Sequence, residues 1–356
     1  MRQNVSGSQF VLIKERDFRV GADGRLIFTR EFLLARGTCC GSRCLNCPFD
    51  HRRFSYQAKT SLKIISFVPS WTETFIAAGV VDAADANSLA IVGRTRFCIH
   101  PQDAVKNITV LGGTKNLHPN LASEVEKIRR LNPSCQIIAI LDREENPRSY
   151  FDDLVSLGIQ PFVTHVQRLP DVPREMKRIG DLLRAHEERD AARLFNEFAA
   201  RFELVLSRRD RIQTDRILDR SLITAHSASD LNNQSKIQPA ALLSAEQLAY
   251  VIWKAPWMVV SSKTLIASVL EYVLGRPEGS SESFLYAPGN SRYPVVADLP
   301  DSVLPIYSSE PFPFLKQADQ LPPGLFVDGE IYSWFGIRLL RFLEEIQELS
   351  KSGKYS

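Results

Sequence analysis

The sequence predicts an α/β protein of two lobes joined by a long helix and preceded by a small cysteine-rich module. Three observations carry that expectation. Short apolar, β-branched runs such as LKIISFV (62–68) and QIIAIL (136–141) alternate with amphipathic stretches of helical length. The stretch 172–212 has no Gly or Pro beyond Pro173 apart from Gly180, and its apolar residues fall at mostly helical intervals. Four of the six cysteines lie within positions 39–47, in RGTCCGSRCLNCPF.

In chain order, residues 1–58 are polar and Arg-rich around those cysteines, and HRRFSYQAKTS reads as a linker. The N-terminal lobe, 62–171, opens on the strand LKIISFV, too short for a helix and typical of a buried strand. PSWTETFIAAGV follows, where Ser70-x-x-Glu73 has capping-box spacing and Gly79 is placed to end a helix. QIIAIL is a strand and DREEN its loop. Asn146-Pro147 supplies an N-cap followed by Pro for the helix RSYFDDLVSLG, and IQPFVTHV is the next strand.

The segment 172–212 reads as one connecting helix with a break allowed near His186–Asp190. The C-terminal lobe, 213–350, repeats the grammar. SLITAH and LAYVIW are strands separated by the polar loop SASDLNNQSKIQ, and SKTLIASVLEYVLGRP is a helix with Ser262 before it and Gly275 after it. SVLPIYSS is a further strand, and IYSWFGIRLLRFLEEIQELS closes the chain as a helix.

Composition narrows the function. With 44% hydrophobic and 24% charged residues the chain is globular, and a net charge of +3 without a basic, aromatic-interleaved stripe gives nucleic-acid binding no support. No run approaches the ~18 apolar residues of a membrane span. MRQNVSGSQFVLIKERDF lacks both an apolar h-region and a small-residue cleavage site, so the expectation is a cytoplasmic protein with reduced thiols. No phosphate loop, nucleophile elbow or H-E-x-x-H helix is present, and GGTKN has Gly and Lys at the wrong spacing. The expectation is therefore a non-enzyme.

Ligands of open α/β sheets sit outside the carboxyl ends of the strands. The residues that follow the strands are PSW (69–71), GRTRFCIH (93–100), GGTKN (112–116), DREEN (142–146), KAPWM (254–258) and SSEPFPF (308–314). Trp71, Phe97 and Trp257 in these loops suit a bulky, partly apolar ligand, which large flat side chains cover at low entropic cost. Glu144 and Glu145 read as a solvated turn.

KIISFVPSWTETFIAAG, IVGRTRFCIHP, LGGTKN and EEN resemble the N-terminal lobe of the vitamin B12-type substrate-binding proteins of ABC importers, the helical backbone metal receptors. VIWKAPWMVVSSKTLIASVLEYVLG, YPVV, SSEPFPF and VDGEIYSWFGIRLL resemble their C-terminal lobe. The resemblance runs from about 62 to 345. It implies two Rossmann-like lobes on a backbone helix, with cobalamin, haem or an iron siderophore clamped between them. Phe97 falls where B12-binding members place a ligand-facing aromatic, and Trp253 and Trp257 fall in the segment supplying one from the other lobe. Glu126 and Glu271 fall near the acidic residues that grip a permease, although a chain that opens on a cysteine module makes such docking doubtful. The D-x-H-x-x-G motif of cobalamin enzymes is absent, so a corrinoid would be held intact, by shape and stacking.

Cys40-x-x-x-Cys44-x-x-Cys47 has the spacing of a radical S-adenosylmethionine loop, but Asn46 stands where an aromatic usually precedes the last cysteine, and no βα barrel follows. The segment looks more like a small uncharacterised bacterial domain with the pattern R-G-x-C-C-x-x-x-C-x-x-C-P. Cys39, Cys40, Cys44 and Cys47 could hold zinc or an iron–sulfur cluster, with His51 or another chain contributing. Cys98 and Cys135 read as buried thiols.

The reading is a non-catalytic, periplasmic-binding-protein-like binder of a bulky metal-containing ligand, a corrinoid ahead of haem or siderophore. Its expected ligand-binding residues are Ser70, Trp71, Arg94, Phe97, Lys115, Asn116, Glu145, Trp253, Trp257, Glu310, Phe312 and Trp334. The alternatives are a redox or metal-handling protein built on the cysteines and a scaffold without a ligand.

Overall fold

The computed structural model describes residues 14–36, 44–47, 61–80, 88–132, 135–208 and 245–351. The proposed strand SLITAH, the loop after it, Cys39, Cys40 and His51 lie outside the described residues.

Near the N-terminus, β1 (Phe18–Val20) and β2 (Leu26–Phe28) form an antiparallel ribbon followed by α1 (Arg30–Arg36), which the polar composition did not foretell. The N-terminal lobe is built on β3 (Leu62–Ser66), β4 (Ala90–Arg94), β5 (Thr109–Val110), β6 (Gln136–Asp142) and β7 (Gln160–Thr164). Their order is β5-β4-β3-β6-β7 and every pairing is parallel, so β3 lies central with all five residues buried. That burial on both faces is why its residues are mostly apolar rather than alternating, and the buried Lys63 donates to the Ser88 carbonyl at 2.6 Å. Helices α2 (Pro69–Ala77), α3 (Gln102–Val105), α4 (Leu121–Leu131) and α5 (Arg148–Ser156) connect the strands.

Two helix starts differ from the expectation. Val68 precedes α2 without a side-chain cap, and Pro69 opens the helix. Ser70 and Glu73 instead take long-range partners: Ser70 Oγ accepts from the Phe335 amide at 3.1 Å, and Glu73 pairs with Arg338 at 2.9 Å. Asn146 does not cap α5. Its side chain accepts from the Asp142 amide and donates to the carbonyls of Phe67 and Thr114, tying three loops together.

The connecting segment is two helices, α6 (Asp171–Ala185) and α7 (Arg189–Ser207), rather than one long rod. Glu187 takes a φ of +64° between them and the chain turns back on itself. Lys177 meets Glu203 at 2.6 Å, and Gly180 lies so close to Asn196 that a Cβ there would sit 2.8 Å from its Nδ2. The hairpin touches both lobes. Phe195 packs on Phe75 of α2 with ring centres 4.9 Å apart, while the Val205 carbonyl accepts from Tyr272 and Gln347.

The C-terminal lobe contains β8 (Gln247–Trp253), β9 (Trp257–Val259), β10 (Val295–Val296), β11 (Val303–Ser308) and β12 (Leu325–Val327), in the order β10-β9-β8-β11-β12. Strands β8, β11 and β12 are parallel, and β9 and β10 extend the sheet antiparallel. Helix α8 (Leu265–Val273) is capped by Thr264, whose Oγ1 accepts from the Ala267 amide at 3.2 Å, not by Ser262. The final helix is interrupted: α9 (Gly329–Ser333) and α10 (Ile337–Lys351) are separated by Trp334, Phe335 and Gly336. No described helix is long and apolar enough to cross a membrane.

The interruption carries the joint between the lobes. Gly336 has a φ of +78°, and a Cβ there would stand 2.2 Å from Thr74 Oγ1 and 3.0 Å from the Ser70 carbonyl. Thr74 Oγ1 also accepts the Ile337 amide at 3.0 Å. Gly336→Ala is therefore expected to cost roughly 2–3 kcal/mol of stability, from backbone strain plus overpacking. Chemical denaturation checks this, and a native midpoint would show that the joint can open without loss.

Candidate ligand-binding site

Two loops at the carboxyl ends of the N-terminal sheet, after β4 and β6, meet the C-terminal lobe. Each side of this meeting is braced by a polar bridge. On one side His100, after β4, reaches Glu330 at 3.0 Å and lies edge-on to Trp334, with centroids 5.4 Å apart. Arg338 joins Glu330 at 3.1 Å to Glu73 of the other lobe. On the opposite side Glu144, after β6, pairs with Arg292 of the C-terminal lobe and holds His165 at 2.7 Å and Gln167 at 2.9 Å. Glu144 is thus an inter-lobe strut and not the solvated turn that its sequence suggested.

Between the bridges lies Glu145. It is half-buried, and no described residue hydrogen-bonds its carboxyl. Burial pushes its pKa up to about 8, with the charges of Asp142 and Glu310 adding to the rise and Lys115 opposing it. Its charge is also felt by Cys98 of the N-terminal lobe and by Tyr293 of the C-terminal lobe. Glu145 therefore sits where the two lobes confront each other. Beneath it, burial raises Asp142 to about 7, and Asp142 braces the loop by accepting from Thr164 Oγ1 at 2.7 Å and the Glu144 amide at 2.9 Å.

Glu310, after β11, faces it from the C-terminal lobe. Its Oε1 accepts from Ser333 Oγ at 2.9 Å and Trp334 Nε1 at 3.1 Å, and desolvation raises its pKa, helped by the charges of Glu330 and Asp328. Its Oε2 takes no hydrogen bond from a described residue. Lys115 and Asn116 are exposed on the loop after β5, where Lys115 Nζ reaches the Glu144 carbonyl at 3.4 Å.

Both lobes also leave apolar side chains exposed. Phe97 and Ile99 stand 44% and 45% exposed after β4, and Trp253, Tyr293 and Leu315 remain 41%, 39% and 43% exposed on the other lobe. Isolated exposed apolar residues are ordinary. Phe97 lies on the backbone of Gly113 with the Arg96 guanidinium 4.9 Å above its ring. Trp253 leans edge-on against Phe312 at 5.4 Å, and Phe312 against Phe314 at 4.6 Å. Trp257 is half-buried, parallel to Phe314 at 6.5 Å with Lys254 Nζ 5.7 Å over its ring.

Four expected positions are elsewhere. Trp71 is fully buried on the inner face of α2, edge-on to Phe335 at 4.9 Å, and its Nε1 donates to Thr164 Oγ1 at 2.9 Å. Ser70 is buried in the joint through Phe335. Arg94 is turned back into its own lobe, donating to the carbonyls of Val105 and Thr95. Glu271 cannot grip a permease from outside: it is buried and accepts the amides of Gly279 at 2.9 Å and Ser281 at 2.8 Å. Glu126 is exposed, 3.4 Å from Arg130. Sequence reasoning missed Tyr293, His100 and Arg292: His100 and Tyr293 lie inside the stretches IVGRTRFCIHP and YPVV and Arg292 beside the second, but all three acquire meaning only through groups in the other lobe.

Of the cysteine module, Cys44 and Cys47 flank a tight turn in which the Cys47 amide donates to the Cys44 carbonyl at 3.1 Å. The turn is held by Asn46, which donates to the Phe28 carbonyl at 2.8 Å. Arg30 of α1 feels the charges of Cys47 and of Arg143 and Arg148, so the module rests beside the loop that carries Glu144 and Glu145. No group of three potential metal ligands occurs among the described residues. Cys98 is buried and accepts from Thr72 Oγ1 at 3.1 Å, and burial pushes its thiol pKa up. Cys135 is half-buried, 2.8 Å from Ser61 Oγ.

A family of unknown function, DUF5522, matches residues 12–53. No curated protein matches the chain. Among solved structures, the periplasmic vitamin B12 binding protein BtuF of Vibrio cholerae is similar, at 14% identity and a TM-score of 0.49, over 83% of this chain and 98% of that one. The periplasmic heme-binding protein RhuT from Roseiflexus sp. RS-1 is similar at 13% identity and 0.49, over 82% and 98%. A periplasmic heme binding protein from Pseudomonas aeruginosa is similar at 16% identity and 0.49, over 83% and 94%.

Proposed function

We propose that the protein binds, without catalysis, a bulky, flat metal chelate between its two lobes, and that the chelate is a corrinoid rather than haem or a siderophore. The observation that carries the reading is that both lobes leave rings open to solvent, Phe97 on one and Trp253 and Tyr293 on the other, while Glu145 feels the charge of Glu310 across the join. Rings of this kind cover a large apolar face and lose little rotamer freedom in doing so. The two carboxyls favour a corrinoid. Its periphery carries primary amides, which pair with carboxyls that resist ionisation, whereas haem brings two carboxylates of its own.

Incubation with cyanocobalamin, haemin or a ferric siderophore, followed by gel filtration with absorbance detection, tests the reading. The corrinoid is expected to co-elute with the protein at one equivalent. Retention of haemin with loss of the corrinoid would exchange the ligand class, and retention of none would remove the function.

The cysteines support a second, separate reading: a zinc ion or iron–sulfur cluster held by Cys39, Cys40, Cys44 and Cys47. The Cys44–Cys47 turn is the observation in its favour, since two thiols across such a turn can approach one metal. Metal analysis with an absorption spectrum separates the outcomes: stoichiometric zinc without colour, a coloured cluster, or neither.

A further inference from the structure

We infer that Arg96 is a specificity residue of this site: it takes the anionic group of the ligand, the phosphodiester of a corrinoid's nucleotide loop, while Phe97 beside it covers the ring plane. The inference rests on the ligand reading above and adds the group by which one corrinoid is told from another.

Arg96 and Phe97 follow β4, and their side chains lie together over one glycine. The Arg96 guanidinium stands 4.9 Å over the Phe97 ring. A Cβ added to Gly113 would lie 3.2 Å from Phe97 Cε2 and 3.5 Å from Arg96 Nε and Nη2, so only a residue without a side chain lets both settle there. The loop beneath them is fixed. The Gly113 carbonyl accepts from the buried Tyr150 hydroxyl at 2.9 Å, and the Gly113 amide donates to the Asn116 carbonyl at 2.7 Å. The Arg96 amide donates to the Gly112 carbonyl at 2.8 Å, and Asn146 holds the Thr114 carbonyl at 3.2 Å.

Both loops of this platform lead by contact to the other lobe. Three residues after Phe97, His100 reaches Glu330 at 3.0 Å. Two residues after Gly113, Lys115 Nζ reaches the Glu144 carbonyl at 3.4 Å, and Glu144 pairs with Arg292. The platform therefore belongs to the layer of loops that makes the join.

Its charge has no partner within the chain. Among the described residues no carboxylate pairs with the exposed Arg96 and no hydrogen bond holds its guanidinium. The other arginines at the join are engaged: Arg94 with the carbonyls of Val105 and Thr95, Arg292 with Glu144, and Arg338 with Glu73 and Glu330. Contact with a ring orients a guanidinium and leaves its planar fork of N–H donors without an acceptor. That fork matches two phosphate oxygens at once. In a corrinoid the peripheral side chains are amides, and the phosphodiester carries the negative charge. Lys115, exposed on the same loop, adds a second positive charge.

Fluorescence titrations of the full chain with cyanocobalamin and with dicyanocobinamide, a corrinoid without the nucleotide loop, test this in the parent, Arg96→Gln, Arg96→Lys and Gly113→Ala. Arg96→Gln is expected to weaken cyanocobalamin about tenfold, the scale of a hydrogen bond to a charged group, and dicyanocobinamide by less than about twofold. Arg96→Lys keeps the charge without the fork and should fall between parent and Arg96→Gln. Gly113→Ala displaces the ring as well as the guanidinium, so it should weaken both corrinoids. Thermal unfolding of Arg96→Gln should match the parent, because the side chain is exposed. Equal loss of both corrinoids in Arg96→Gln would show that Arg96 only props the ring, and loss of neither would make it a bystander. Either result overturns the inference and leaves the corrinoid reading standing, whereas a parent that binds neither corrinoid removes both.

Discussion

Trp71→Ala is expected to lower the free energy of unfolding by roughly 3–5 kcal/mol, the range for emptying a fully buried aromatic site. The indole is sealed against Phe335, a residue of the other lobe, and its removal also strips Thr164 Oγ1 of a donor. The loss therefore falls on the joint between the lobes as well as on the core beneath α2. Denaturant unfolding monitored by circular dichroism measures it. Trp71→Phe, which keeps most of the ring volume, should recover much of the stability and bind ligand as the parent does. A Trp71→Ala protein of native stability that has lost its ligand would return this ring to the cleft.

The second large effect belongs to the two rings that stay exposed. Phe97→Ala and Trp253→Ala are each expected to weaken cyanocobalamin binding by about 2 kcal/mol, roughly thirtyfold in Kd. They lie on different lobes without a shared contact, so the double variant should lose close to the sum of the two. Their stability should change little, because nearly half of each side chain already meets solvent. Fluorescence titration beside thermal denaturation separates the two readouts. Unchanged affinity in the double variant would show that the rings merely cover their own loops.

The contrast between Trp71 and Phe97 shows what the sequence could convey. Both follow a strand by a few residues, and both were expected at the ligand. Pro69 begins α2 at once, however, so Trp71 falls on a helix, with its indole on the inner face, whereas Phe97 stays in the loop. The alternation of strands and helices was legible because a central strand such as β3 is buried on both faces and is therefore mostly apolar.

Long-range polar partners were not legible. Ser70 and Glu73 have the spacing of a local cap, yet their partners lie near residues 335–338, and no local pattern announces that. Glu271 sits in a helix whose described residues are buried throughout, so its partners are backbone amides of the following turn rather than another protein. A break near His186–Asp190 was legible, but the reversal of direction there was hidden for a different reason. Helical periodicity is the same for a straight rod and for a hairpin, and the reversal is made by Glu187 at positive φ, where a glycine would have marked it.

The most direct test places the metal. Crystals grown with cyanocobalamin, measured at the cobalt absorption edge, are expected to give one anomalous peak between the carboxyl ends of the two sheets, flanked by Phe97 and Trp253. A cobalt peak on the outer surface of either lobe, or none in crystals whose protein is intact, would contradict a ligand clamped between the lobes.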